Sequence, residues 1–165
     1  MLIAYGFVLI AVGMDLRSMR ISNRLILIGW VVSLVRRILC DGLGGLFTGL
    51  FLISLPVILL YLLFLAGALG AGDIKLFSLI SGFINEKEIL WCIVFAFLFA
   101  AVISFAKLVY HGIFIQSIRH VLMYIYRVLQ GSKEKYQPFS IAAGRIRFSV
   151  AILCGLIATD IVFRL

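Results

Sequence analysis

Leu69-Gly-Ala-Gly-Asp-Ile-Lys-Leu76 sets two ionisable side chains, Asp73 and Lys75, beside a pair of spaced glycines in a chain that is otherwise very apolar. The run from 74 to 84 supplies only 11 mostly apolar residues before Asn85-Glu-Lys-Glu88. A helix of that length covers about 16 Å, against a hydrocarbon core of about 30 Å. The membrane segment is therefore expected to reach back through Ala66-Gly-Ala-Leu-Gly-Ala-Gly72, towards Ala66. That carries Asp73 and Lys75 to membrane depth, in a wet hollow lined by protein. Ionisable groups at such depth are costly, and by default they are functional.

The rest of the chain supports a membrane reading. Of its 165 residues 64% are hydrophobic and 13% charged, with mean hydropathy +1.21. A soluble domain runs near 45–50% apolar and about 25% charged. Only Pro56 and Pro138 interrupt the apolar runs, and no period-2 alternation of a membrane barrel is visible. The fold class expected is all-α: a polytopic, multi-pass membrane protein forming a single membrane-embedded domain over residues 1–165. The net charge of +8 does not point to nucleic acid, because the cations flank apolar spans instead of forming one basic face. Cys40, Cys92 and Cys154 stand far apart with no C-x-x-C pair, which argues against zinc and redox chemistry and reads as small core residues. Residues 1–14 have no preceding cation and no cleavage site after them, so they read as a retained first span.

Six spans follow from hydropathy. The first covers residues 2–18 and carries Asp15 near its end; the second covers 25–40, with Arg36 and Arg37 snorkelling to an interface. Asp41-Gly-Leu-Gly-Gly45 is a turn, and Pro56 should kink the third span, 46–65. After the fourth comes 89–106. Residues 107–130 then space Gln116, Arg119, His120, Arg127 and Gln130 at helical intervals, as in an amphipathic helix lying in the cytoplasmic interface. Residues 131–137 form a soluble turn, and the sixth span is 148–163. Eleven of the 15 Lys and Arg then fall on one side, leaving Arg36, Arg37, Lys87 and Arg164 on the other. The positive-inside rule makes the richer side cytoplasmic and puts both termini outside.

Asp15 ends the first span and Asp73 begins the fourth, with two whole spans between them, so both carboxyl groups face the cytoplasm. Neighbouring carboxylates resist joint ionisation and can share a proton. One then serves as general base on a water and the other as general acid toward a scissile carbonyl, which is aspartyl-protease chemistry. Gly70 and Gly72 remove side-chain bulk, so a neighbouring helix or an extended substrate can come close. Each acid also has a bland reading. Asp73 suits the N-cap of the fourth helix, and Asp15 alone suits a solvated helix end paired with Arg17 or Arg20. Lys75 is either an interfacial cation or a charge partner for an aspartate. His111 and His120 match no metal spacing, and Asp160 would lie on the outer side, away from the pair.

These residues resemble the type IV prepilin peptidase family, membrane aspartyl proteases with a G-x-G-D motif. Gly70-Ala-Gly-Asp-Ile-Lys75 is similar to its G-x-G-D-x-K block. Asp15-Leu-Arg-Ser-Met-Arg-Ile-Ser-Asn23 resembles its D-[hydrophobic]-[basic]-x-x-x-I-P-N stretch, with Ser22 in place of proline. Pro138-Phe-Ser-Ile-Ala142 resembles a P-F-x-P stretch before the last span, with Ile141 in place of the second proline. The resemblance implies catalytic Asp15 and Asp73, with Gly70, Gly72, Lys75 and Asn23 supporting the site or binding substrate. It implies removal of a short basic leader from pilin-like precursors at the cytoplasmic face of the cell inner membrane, with no metal or cofactor, in type IV pilus assembly or protein secretion. The paired C-x-x-C motifs of larger members do not occur in the sequence, so a short, peptidase-only form without methyltransferase activity is expected. Two other readings compete. A small proton- or ion-coupled transporter would need polar residues through the outer halves of the spans. A non-catalytic secretion-system assembly subunit would be expected to lack one aspartate.

Overall fold

The computed structural model describes residues 2–18, 21–110 and 148–164, and these contain helices but no strand. The helices are α1 (Leu2–Ser18), α2 (Asn23–Leu65), α3 (Ala71–Ser81), α4 (Glu86–Tyr110) and α5 (Phe148–Arg164). One compact unit comprises residues 1–99 and 147–165; the other comprises 100–146, whose described part continues α4 to Tyr110. The first unit holds every described residue of the candidate site. Most of the amphipathic stretch expected over 107–130, including His111 and His120, lies outside the described residues, as do the turn at 131–137 and Pro138-Phe-Ser-Ile-Ala142.

α2 is a helical hairpin. Its backbone leaves helical geometry only at Gly42, with φ 64° and ψ −150°, a conformation open to glycine. A Cβ placed on Gly45 would collide with the Arg37 carbonyl, and one on Gly49 would lie 2.8 Å from Leu34 Cδ2. In a straight helix those pairs would be about 12 and 22 Å apart, so the two arms fold back on each other. The turn expected over 41–45 thus narrows to one residue, because a single left-handed glycine reverses the chain. At Pro56, where the sequence suggests a kink, the backbone angles stay helical. The buried Ser78 hydroxyl donates to Ile53 O at 2.7 Å, beside the part of the ladder that Pro56 weakens.

α2, and α4 over Glu86–Lys107, are long and apolar enough to cross a membrane. Leu2, Leu39, Leu43, Phe47, Ile58 and Leu62 are each more than 70% exposed. Apolar surface on that scale calls for lipid or protein cover.

α3 is the buried centre. It packs against α2, α1 and α5, and Leu76, Phe77, Ser78, Leu79, Ile80 and Ser81 are all fully buried. The stretch from Leu76 to Ser81 is enclosed on every side. α3 does not reach back to Ala66 as the sequence suggested. Gly67, with φ 71°, closes α2: Ala68 N–H donates to Leu63 O and Gly67 N–H to Phe64 O, the Schellman arrangement. Gly70 then caps α3, whose 11 residues begin at Ala71.

The far end of α3 is held by the pair expected to snorkel. Arg37 Nε donates to Gly82 O and Nη2 to Ile84 O, both at 2.8 Å, while Arg36 Nη1 donates to Phe83 O at 3.3 Å. Cations suit a helix C-terminus, where carbonyls lack intrahelical donors. Arg37→Ala is expected to lower stability by about 2 kcal/mol, read as thermal unfolding in detergent, with Arg37→Lys restoring only part because it lacks the planar fork. A 290 Å³ cavity beside this clamp is lined by Arg36, Arg37, Asp41, Asn85 and Glu88 among others. Cys92 is buried as expected of a small core residue, but Cys40 on α2 is exposed.

Candidate active site

The two acids sit at the same end of the unit. Asp15 is in the last turn of α1, and Asp73 is in the first turn of α3. Both are half-buried. Local capping fixes Asp73: as the third residue of α3 it accepts a hydrogen bond at Oδ2 from Gly70 N–H, at 3.3 Å. Its place is therefore N3 and not the N-cap, which is Gly70. A Cβ on Gly70 would stand 3.0 Å from Asp73 Oδ2, so bulk there would press on the carboxyl group. At Gly72 a Cβ would meet only Ile21 Cδ1, at 3.7 Å, which is ordinary contact. The described packing does not require the second glycine.

Asp15 is held across the fold. Ser149 Oγ, on α5, donates to Asp15 Oδ2 at 2.5 Å. Among the described residues Asp15 makes no ion pair with Arg17; Arg20, the other partner that reading offered, lies outside the described residues. Lys75 Nζ donates to Asn23 Oδ1 at 2.9 Å, and to neither aspartate. That bond ties the start of α2 to α3 beside Asp73; Ser22 caps α2 by accepting from Arg24 N–H. Asp160 is at the other end of α5, 2.6 Å from Arg164 Nε and about 16 Å along the helix from Ser149.

Asp15, Asp73, Gly70, Gly72, Lys75 and Asn23 are therefore brought to one end. Ser149 is the residue that sequence reasoning missed. A single serine in an apolar run carries no spacing signal to an acid 134 positions away. Among the described residues no three His, Cys, Asp or Glu side chains gather.

The described residues form an all-helical protein with two helices long and apolar enough to cross a membrane and two acids at one end. A family model of the type IV leader peptidase family matches residues 2–105, a stretch that holds both aspartates. The chain belongs to that family, whose members are aspartic-type, membrane-associated proteases acting on prepilin-type substrates. Comparison with curated proteins and with solved structures returned no match.

Proposed function

We propose that this protein removes the basic leader of pilin-like precursors by water attack, with Asp15 and Asp73 as the acid–base pair. The observation that carries the reading is the placement of both acids at one end of the unit, on different helices, in a chain of this family. One carboxylate takes a proton from water as the oxygen bonds to the scissile carbonyl carbon. The other acid protonates the carbonyl oxygen. The resulting diol collapses as the C–N bond breaks and the departing nitrogen is protonated, leaving a carboxylic acid and an amine. Proton transfers of this kind contribute about 10²–10⁴-fold in rate.

Six spans, with Asp15 and Asp73 toward the cytoplasm and the termini outside, agree with the placement of 11 of the 15 cations on the side of the aspartates. In this arrangement Lys75 and Asn23 brace the α2–α3 corner, and Gly70 and Gly72 leave room for an extended substrate backbone. A proton-conducting transporter fits less well. The buried hydroxyls of Ser33, Ser78, Ser81 and Thr159 each donate to a backbone carbonyl and form no relay between the two ends.

The test is co-expression of a tagged prepilin with wild type, Asp15→Asn or Asp73→Asn, followed by blotting for leader loss. Wild type should cleave and both variants should leave the precursor intact. Full cleavage by either variant overturns the dyad, and an intact precursor with wild type overturns the peptidase reading.

A further inference from the structure

We propose that Ser149 is a positioning residue of the reaction, binding Asp15 Oδ2 so that Oδ1 is the oxygen left to exchange protons with water. The inference rests on the Asp15–Asp73 reading and adds a third helix, α5, to the catalytic apparatus.

Ser149 is completely buried. A buried hydroxyl needs an acceptor, and its direction is set by that acceptor. The other fully buried hydroxyl side chains of the described residues, Ser33, Ser78, Ser81 and Thr159, donate to backbone carbonyls. Ser149 instead donates to a carboxylate on another helix, a charge-assisted bond of the stronger kind. Its own place is fixed by the preceding residue. The Phe148 ring meets Phe77 of α3 at 6.2 Å and Phe97 of α4 at 5.3 Å between centroids. Phe77 lies one turn beyond Asp73, so α3 bears one acid and also anchors the serine that holds the other.

Asp15 lies in the last turn of α1, where packing leaves it half-exposed. Without a fixed partner its carboxyl would sample several rotamers. Acid–base chemistry needs its groups held to within about 0.5 Å. The Ser149 bond supplies that restraint from a fully buried donor. It also makes the two acids inequivalent: Asp73 is held by the backbone amide of the N-cap residue of its helix, and Asp15 by a side chain from α5.

The experiment measures initial rates of leader removal from a purified prepilin by detergent-solubilised wild type, Ser149→Ala, Ser149→Thr, Ser149→Cys and Asp15→Asn, with thermal unfolding of each. Ser149→Ala should lose about tenfold in kcat, as expected for one hydrogen bond to a charged group, while KM holds and the protein stays folded with an unfolding temperature a few degrees lower. Ser149→Thr should recover most of the loss. Should its added methyl prevent folding, Ser149→Cys, close to serine in size and a weak donor, should fall between serine and alanine. A folded Ser149→Ala with wild-type kcat overturns the proposal, as does a folded Thr variant no better than Ala. Both results, beside an inert Asp15→Asn, leave the dyad standing. Cleavage by Asp15→Asn is the separate failure of the dyad itself.

Discussion

Asp73→Asn is expected to keep its fold and to lose leader cleavage by about a thousandfold or more. The substitution separates the two roles open to this side chain. The amide oxygen of asparagine can still accept from Gly70 N–H, as Asp73 Oδ2 does. The first turn of α3 therefore stays capped, with about 0.3–1 kcal/mol lost for the missing charge near a helix N-terminus. If capping were the whole function, the variant would process a prepilin at nearly the wild-type rate. If the side chain moves a proton, no amide can replace it. Asp73→Glu sharpens the comparison, since it keeps the acid and shifts it by one methylene; a misplacement of about 1 Å can cost 100-fold. Initial rates and unfolding temperatures, measured together on both variants, decide the matter. An Asp73→Asn protein that unfolds and cleaves like wild type would reduce this residue to a cap.

The long elements were legible because hydropathy alone defines them. Residues 2–18 and 148–163 read as spans, and the helices run Leu2–Ser18 and Phe148–Arg164. The placement of Asp15 and Asp73 at one end of the unit was legible for a different reason. A helical hairpin between two acids returns the chain to the end it left. The start of α3 was misread because composition could not rank the glycines of 66–72. Gly67 ends one helix with a positive φ and Gly70 caps the next, so the connection is a structured corner and not a continuation of α3.

The role of Arg36 and Arg37 in holding α3 was not legible in the sequence. Two arginines late in an apolar run look like interfacial cations, because their acceptors, the carbonyls of Gly82, Phe83 and Ile84, are distant in sequence. The cap of α3 needs them: the Gly82 N–H reaches only Ile80 O, and the carbonyls that follow have no donor within the helix. The short central helix is thus held at both ends by α2, through Arg37 at its C-terminus and through Asn23 and Lys75 near its start. A rigid α3 is what lets a half-buried carboxyl group in its first turn keep one position.

Gly155→Val is expected to cost about 3 kcal/mol, near the upper end of what overpacking usually removes, and to abolish cleavage with the loss of folded protein. Even a single Cβ at Gly155 would stand 2.7 Å from Ala96 N and 2.9 Å from Cys92 O. Both atoms belong to the α4 backbone, so no rotamer change can relieve the contact; the helices must part. Small residues permit this approach between apolar helices, where close packing substitutes for a hydrophobic drive in lipid. The separation would spread along α5. Ser149 is six residues away, about 9 Å along the helix, and the Phe148–Phe97 contact that anchors it crosses the same α4–α5 seam. Gly6→Val is the matched control. A Cβ on Gly6 has no neighbour within 4 Å, so valine there should leave stability unchanged or raise it slightly, glycine being the poorer helix former. Thermal unfolding of both variants in detergent provides the comparison. If Gly155→Val unfolds with wild type, α5 is not seated on α4 through this glycine, and the seating of Ser149 against Asp15 loses its support.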